Sequence, residues 1–297
     1  MILLNDEFNI ELKEITEKID KIIDYYMPEG NGLPQKTIFD SMKYTLSAGG
    51  KRIRGAIMAS FCKLCGGNIT DVSPFIAAIE MIHAYSLIHD DLPCMDDDDL
   101  RRGKPTNHKV FGEAIAVLSG DGLLNLAFET VLNNMPNNDK TYRSLKELAA
   151  ASGIYVMVGG QVIDIESENK KVDLTTLCEM HEKKTGALFY AAAKIGCIMG
   201  GGTEKQIEDG GKYAKKIGIL FQITDDLLDV YGDSKMLGKN TGQDLKKNKS
   251  TFVSILGIAG ASQYANKCYE EAIESLKEFE NPKFLINLTK YLLQRCK

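Results

Sequence analysis

Residues 82–99 read IHAYSLIHDDLPCMDDDD, a helix-forming run that ends in a cluster of aspartates. A second cluster begins at Asp225, inside the apolar run FQITDDLLDV at 221–230. Because crowded carboxylates repel one another, a folded chain holds two such clusters only when cations compensate them. Mg²⁺ is the leading candidate, since it takes one or two carboxylates and leaves positions for substrate phosphates and water. Mn²⁺ remains an alternative.

The second cluster is predicted to form one acidic stripe on a helix. Residues three and four apart share a helical face, which places Gln222, Asp225, Asp226 and Asp229 together. Their neighbours are mostly apolar, so a solvated surface explains this stripe poorly. These side chains are therefore predicted to face a site inside the protein.

The first cluster is predicted to lie at the end of a helix. His83 and Asp90 fall on one helical face, and Pro93 soon ends the helix. A carboxylate at a helix C-terminus is unfavourable against the helix dipole, which favours a bound cation there. Residues 97–99 are predicted either to be solvated or to pair with the arginines that follow. The predicted metal ligands are Asp90, Asp91, Asp96, Asp225, Asp226 and Asp229.

Basic segments accompany both clusters. GGKRIRG stands at 49–55, RRGK at 101–104 directly after the first cluster, and lysines at 239–249 after the second. Arginine grips phosphate oxygens as a fork, and glycine allows the backbone to approach closely. A further segment, KKTG at 183–186, lies in an apolar run, where its glycine indicates a local kink that frees a carbonyl. The pattern predicts a substrate rich in phosphate.

Composition excludes several classes of protein. The net charge of −5 over 297 residues argues against a nucleic-acid binder. Acidic residues precede the first basic one, so the N-terminus does not read as a secretory signal. The apolar stretch 187–202 is short and contains Lys194, and no membrane span is expected. Seven scattered cysteines favour a reduced, cytoplasmic protein.

Apolar spacing predicts an all-α protein. Phe8, Leu12, Ile15, Ile19 and Ile22 recur at steps of four and three, which is typical of one helical stripe. Segments rich in Gly, Pro, Asn or Asp divide the chain into about nine or ten helices, and a single domain over 1–297 is expected. The predicted interruptions are 28–34, 66–74, 92–108, 133–141, 166–174, 200–204, 232–250 and 280–283.

The first cluster and its surroundings resemble a known family. HAYSLIHDDLPCMDDDDLRRGKPTNH at 83–108 is similar to the core of the bacterial short-chain trans-prenyl diphosphate synthases, with the farnesyl diphosphate synthases (geranyltranstransferases) as the nearest match. GGKRIR at 49–54, GGQVIDIES at 159–167, KTGALF at 184–189 and FQITDDLLDV at 221–230 follow in the family's order. The resemblance implies a polyprenyl synthetase domain of isoprenoid synthase type, with about ten long helices around a central cavity, assembled as a homodimer.

The resemblance also implies roles for individual residues. The isopentenyl diphosphate ligands would be Lys51, Arg54, His83 and Arg102. The allylic diphosphate ligands would be Arg101, Lys184, Thr185, Gln222, Lys239 and Lys249, of which Lys184, Thr185 and Gln222 would also stabilise the carbocation. Two departures stand out: Gly55 replaces a common proline, which is expected to loosen that loop, and Asn248 precedes Lys249 where the family has glycine.

The expected reaction is Mg²⁺-dependent head-to-tail transfer of dimethylallyl or geranyl diphosphate onto isopentenyl diphosphate. Tyr85 stands five residues before Asp90, about 7.5 Å deeper along the helix, and with Ser86 it is expected to limit the product to fifteen carbons. The alternatives are a ten- or twenty-carbon synthase, a terpene cyclase, a non-catalytic regulatory subunit and a metal-dependent phosphohydrolase. The second acidic triplet and the basic segment at 51–54 oppose the cyclase.

Overall fold

The computed structural model describes residues 6–231 and 249–295, and these are mostly helical. The all-α prediction is confirmed, although the described ranges contain more helices than the nine or ten expected. In chain order they are α1 (Asp6–Tyr26), α2 (Lys36–Leu46), α3 (Ile53–Leu64), α4 (Ser73–Asp90), α5 (Asn107–Phe111), α6 (Glu113–Asn134), α7 (Asp139–Ser152), α8 (Met157–Ser167), α9 (Leu174–His181), α10 (Ala187–Gly200), α11 (Glu204–Tyr231), α12 (Phe252–Glu274) and α13 (Lys283–Gln294).

Helices α4 and α10 form the centre of the fold. Both are apolar on nearly every side, and most of their side chains are buried. A helix that is apolar all round belongs in a protein interior. Around them, α4 packs against α1, α3 and α6, whereas α10 packs against α3, α7 and α11. Helix α1 contributes the predicted stripe, with Phe8 and Ile19 fully buried.

A short β-hairpin follows the first aspartate cluster. Strand β1 (Leu100–Arg101) pairs antiparallel with β2 (Lys104–Pro105). Both residues of its turn, Arg102 and Gly103, have positive φ angles of 55° and 75°. A two-residue turn of this kind matches the twist of antiparallel strands. The sequence predicted a loop at this position but not the strand pairing. The pairing holds two basic side chains at the edge of the first aspartate cluster.

The helical run at 174–200 is interrupted where a kink was predicted. Residues Glu182–Gly186 form a π-helical turn between α9 and α10. Two glycines on neighbouring helices let the backbones meet at this turn. A Cβ on Gly218 of α11 would lie 2.7 Å from the Cα of Gly186, and one on Gly160 of α8 would collide with the Lys184 nitrogen.

Three helical segments have the length and hydropathy of a membrane span. They are Ile69–Asp90, Glu113–Asn134 and Asp139–Ser167, with 72%, 39% and 33% of the apolar window buried inside the fold. The sequence analysis considered only 187–202 and overlooked these longer segments. The expectation of no membrane span therefore stays a prediction, and burial in the fold supports it most clearly for the first segment.

Candidate functional site

A cavity of about 520 Å³ opens between α4, α8, α11 and the π-helical turn. Most of the residues singled out from the sequence line it. They are Arg54, His83, Tyr85, Ser86, Asp90, Asp96, Arg101, Lys184, Thr185, Gln222, Asp225, Asp226, Asp229 and Lys249. Lys51, Asp91 and Arg102 are not among the lining residues, and Lys239 lies outside the described ranges.

The C-terminal end of α4 forms one side of the cavity. The chain folds back after Asp90, and the Asp96 amide donates a hydrogen bond of 2.8 Å to the Asp90 carbonyl. Asp90 and Asp96 are here named the first acidic wall. Burial raises the pKa of the Asp90 carboxyl, the neighbouring Lys184 ammonium opposes that shift, and Asp96 adds to it. A cation in the cavity would relieve both unfavourable effects.

Asp91 has a different environment from the one predicted. Its carboxylate is buried and accepts a 2.9 Å hydrogen bond from Arg101 Nε and a second bond from Nη2 of the same guanidinium. Burial raises the pKa of Asp91 to about 6, with Arg101 opposing the shift. Asp98 accepts a 3.1 Å bond from Arg101 as well. Asp91 therefore orients Arg101, which lines the cavity, and does not line it itself.

Two lysines compensate the acidic interior. Lys184 Nζ donates to Asp164 Oδ2 at 2.6 Å, and Lys249 Nζ lies 3.4 Å from the same oxygen and 3.4 Å from Asp96 Oδ1. Lys249 also pairs with Glu168 at 3.6 Å. These carboxylates raise the pKa of Lys184 and of Lys249 despite burial. Asp164 was missed as a site residue, although it lies within the quoted GGQVIDIES run.

Helix α11 supplies the opposite side. Asp225, Asp226 and Asp229, here named the second acidic wall, line the cavity from one helical face as predicted. Asp226 is buried, accepts a 3.1 Å bond from Gln222 Nε2, and accepts a 2.8 Å bond from the Phe252 amide at the start of α12. A carboxylate is favourable at a helix N-terminus. Asp226 thereby ties α12 to the wall.

The donor set suits a hard divalent cation. Every carboxylate of the two walls offers oxygen, the donor atom that Mg²⁺ prefers. No group of three or more His, Cys, Asp or Glu side chains within residues 6–231 and 249–295 is arranged to hold an ion by itself. Mg²⁺ commonly takes one or two carboxylates from the protein and completes its coordination shell with phosphate and water.

Basic groups gather on the α3 side of the cavity. Burial lowers the pKa of Arg54 to about 10, its Nε has no hydrogen-bond partner among the described residues, and its guanidinium lies 4.6 Å from the Phe189 ring. Burial also lowers the pKa of His83 well below its usual value, helped by the charges of Arg54 and Arg102. On this side of the cavity Arg54 is therefore a buried cation with an N–H donor available to an anion.

The loop before α3 is more tightly held than expected. Arg102 donates a hydrogen bond to the Gly49 carbonyl, and its guanidinium lies against Gly50, where a Cβ would fall 2.9 Å from Cζ. Gly55, expected to loosen the loop, donates its amide hydrogen to Glu80 Oε1 at 3.1 Å. Proline could not make that bond. Lys51 remains exposed, with its ammonium 5.2 Å from the Tyr291 ring.

The other half of the cavity is largely apolar. Tyr85 is buried on α4, and its ring meets that of His89 edge-on at 5.8 Å. His89 Nε2 is 3.1 Å from the Val117 carbonyl, and its ring fills the space left by Gly120. The remaining apolar lining comes from Leu87, Met95, Met157, Val158, Val162, Ile165, Met180, Leu188 and Phe221.

His181, which was not predicted as a site residue, also lines the cavity. It stacks on the Phe252 ring at 5.5 Å, and its Nδ1 has no hydrogen-bond partner among the described residues. Burial lowers the pKa of His181 to about 3. It is therefore a neutral imidazole beside the two lysines.

Residues 35–291 match the polyprenyl synthetase family. The chain belongs to that family. A polyprenyl synthetase relative, the heterodimeric geranylgeranyl pyrophosphate synthase large subunit 1 of Arabidopsis thaliana chloroplasts, is 44% identical over 288 residues, which cover 94% of this chain and 77% of the relative. An FPP/GFPP synthase from Zymomonas mobilis is 36% identical, with a TM-score of 0.86 over 97% of this chain and 99% of that one.

A second similar structure was solved with ligands bound. Geranyltransferase from Helicobacter pylori, complexed with magnesium and isoprenyl diphosphate, is 31% identical, with a TM-score of 0.83 over 95% of both chains. The family resemblance and the isoprenoid synthase type of fold are thus confirmed. The narrower match to the farnesyl diphosphate synthases is not confirmed, because curated relatives are named as geranylgeranyl pyrophosphate synthases.

Proposed function

We propose that this prenyltransferase condenses isopentenyl diphosphate with an allylic diphosphate in a head-to-tail transfer. The observation that carries the proposal is the single cavity lined by two acidic walls, by basic groups and by an apolar half. Such a cavity suits a molecule with a diphosphate head and a hydrocarbon tail. The predicted ligands Asp90, Asp96 and Asp225 would hold Mg²⁺, which would neutralise charge on the departing diphosphate.

The chain's own residues assist the first step. The allylic C–O bond breaks, and its electron pair leaves with the diphosphate. Lys184, Lys249 and Arg101 line the cavity and would bind that leaving group. Two unit charges about 4 Å apart interact by roughly 4 kcal/mol at an effective dielectric near 20, so converging cations lower the barrier substantially.

The allylic cation then needs oxygen atoms that carry partial negative charge. The π-helical turn at 182–186 interrupts the α-helical hydrogen-bond pattern beside Thr185, and we infer that a carbonyl oxygen there is available to the cation. Gln222 donates its amide hydrogen to Asp226, which leaves its carbonyl oxygen as the group available to a cation. The isopentenyl double bond attacks, a new C–C bond forms, and a proton passes from the adjacent carbon to an oxygen of the released diphosphate.

A fifteen-carbon product, farnesyl diphosphate, remains one form of the proposal, and the position of Tyr85 supports it. Tyr85 is buried against His89, which Gly120 and the Val117 carbonyl hold in turn. Because the Tyr85 ring packs against a histidine that is itself held in place, moving it aside would be costly, and we expect it to limit the growing chain. Geranylgeranyl diphosphate is the second candidate, and the names of the curated relatives favour it.

Product sizing tests both forms. Labelled isopentenyl diphosphate is incubated with dimethylallyl, geranyl or farnesyl diphosphate and Mg²⁺, and the products are separated by length. We expect fifteen carbons from the two shorter primers and little extension of the third. Efficient extension of farnesyl diphosphate would replace the fifteen-carbon form with the twenty-carbon one. The absence of any transfer would refute prenyl transfer itself.

A homodimer is proposed on the exposed face of α6. Val117, Leu118 and Leu132 are 41%, 52% and 66% exposed on this otherwise apolar helix. Exposed apolar side chains along a helix are often covered by a partner chain. Light scattering after gel filtration is expected to give twice the chain mass, and Leu118→Glu is expected to shift it toward the monomer. A monomeric wild-type chain at micromolar concentration would contradict this proposal.

A further inference from the structure

Arg295 places a buried positive charge behind the second acidic wall. It follows the last turn of α13, and its Nη1 lies 3.1 Å from Asp225 Oδ1. Its guanidinium carbon lies 5.1 Å from the centre of the Phe221 ring, and its side chain is only 7% exposed. Arg295 is not among the residues that line the cavity, whereas Asp225 and Phe221 are.

A contribution to the stability of the fold does not explain why the Arg295 guanidinium is buried. A buried guanidinium is favourable only when its donors find acceptors. Among the described residues, neither Nε nor Nη1 of Arg295 makes a hydrogen bond, and the contact with Asp225 is an ion pair without hydrogen-bond alignment. The Phe221 ring compensates only part of that cost. The charge therefore acts mainly on Asp225.

Cations also pair with carboxylates on the first acidic side, where Lys249 reaches Asp96 and Lys184 reaches Asp164, although these two lysines line the cavity. Internal cations thus already compensate carboxylates on both sides of the cavity. A divalent cation that arrives alone meets their repulsion. A divalent cation that arrives with a diphosphate does not, because the anion is attracted to the same positive charges.

We propose that Arg295 is the internal counter-cation of Asp225 and makes divalent-cation binding at that wall depend on a diphosphate anion. Arg295 is a positioning residue, since it acts through Asp225 and does not touch the cavity. The inference rests on the proposed function for its metal site. It adds a reason why the cation and the diphosphate bind together.

The test counts protein-bound Mn²⁺ by equilibrium dialysis, without and with inorganic pyrophosphate. The ratio of the two dissociation constants measures the coupling, which commonly amounts to 5–150-fold. For Arg295→Gln we expect Mn²⁺ alone to bind about tenfold more tightly and the ratio to fall about tenfold. Arg295→Lys keeps the charge and is expected to keep most of the ratio.

The control is Lys290→Gln on the same helix, which removes an exposed charge and is expected to change neither constant. If Arg295→Gln does not fold, Arg295→Met carries the same prediction, because an apolar chain of similar length suits a buried position. An unchanged ratio in a folded variant would overturn the inference. A wild-type chain that binds no Mn²⁺ even with pyrophosphate would instead overturn the proposed metal site.

Discussion

Asp164 accepts a 2.6 Å hydrogen bond from Lys184, and Lys249 approaches the same carboxylate oxygen at 3.4 Å. One carboxylate on α8 therefore orients two cations that line the cavity. We predict that Asp164→Asn lowers kcat/KM for the allylic diphosphate about 10- to 100-fold, because both ammonium groups lose the charge that fixes them. Steady-state kinetics with varied allylic substrate measures the effect.

The matched control is Asp209→Asn. Asp209 is also buried and also pairs with two lysines, Lys205 at 2.8 Å and Lys212 at 3.2 Å, but it does not line the cavity. It is expected to lower stability without changing kcat/KM. Equal kinetic losses in both variants would show that Asp164 acts only through folding.

Removing a carboxylate from either acidic wall should abolish turnover and leave the fold intact. Asp90→Ala and Asp225→Ala are each predicted to lower kcat by about 100-fold or more, since a charge aimed at the leaving group is lost. Circular dichroism checks that the helices persist. Asp99→Ala serves as the control from the same cluster, because Asp99 is exposed and pairs with Lys109. Near-normal turnover in either wall variant would refute the metal assignment.

Tyr85→Ala is predicted to lengthen the product to twenty carbons or more, because the fixed ring that ends the apolar half is removed. Chromatographic sizing of the products checks this. Tyr155→Ala removes an exposed ring and is expected to leave product length unchanged. A fifteen-carbon limit retained in Tyr85→Ala would place the floor elsewhere.

The π-helical turn depends on a close contact between two glycines. Gly218→Ala would put a Cβ 2.7 Å from the Cα of Gly186, and we predict a loss of about 1–3 kcal/mol in the free energy of unfolding. Gly186→Ala is the control, since its Cβ would meet only the His181 carbonyl, at an ordinary 3.5 Å. Urea unfolding compares the two, and equal stabilities would contradict the predicted contact.

Acid should destabilise the protein through His181. Burial lowers the pKa of His181 to about 3, so between that value and about 6.5 the unfolded chain binds a proton that the folded chain does not. Stability therefore rises with pH through this window and is fully present above it. The contribution lost between pH 7 and pH 5 is about 2 kcal/mol. His181→Phe should flatten that part of the stability profile, and an unchanged slope would argue against a buried neutral imidazole.

Much of the fold and site followed from the sequence because the signals are local. The helical stripe of α1, the end of α4 after Asp90 and the shared face of Asp225 and Asp229 each depend on residues within a few turns of one another. Except for 232–250, most of which lies outside the described residues, the predicted interruptions rich in Gly, Pro, Asn and Asp fell at or between helix ends for the same reason. The break between α7 and α8, at 153–156, carries one glycine and was missed.

What the sequence did not reveal depends on residues far apart in the chain. Asp91 is adjacent to Asp90 in sequence, yet its carboxylate pairs with Arg101, ten positions further along the chain. Asp164 pairs with Lys184, 20 positions away, and with Lys249, 85 positions away, and Arg295 pairs with Asp225 from the end of the last helix. Gly55, which replaces the family's common proline, donates a hydrogen bond to Glu80 on α4. This departure from the family pattern therefore holds the backbone in place.

The account depends most on divalent cations and a diphosphate binding together between the two acidic walls. A crystal structure with Mg²⁺ and inorganic pyrophosphate tests this directly. We predict ions coordinated by Asp90 and Asp96 on one side and by Asp225 on the other, with pyrophosphate between them and in contact with Lys184. Pyrophosphate bound elsewhere, or ions absent from both walls, would contradict the proposal.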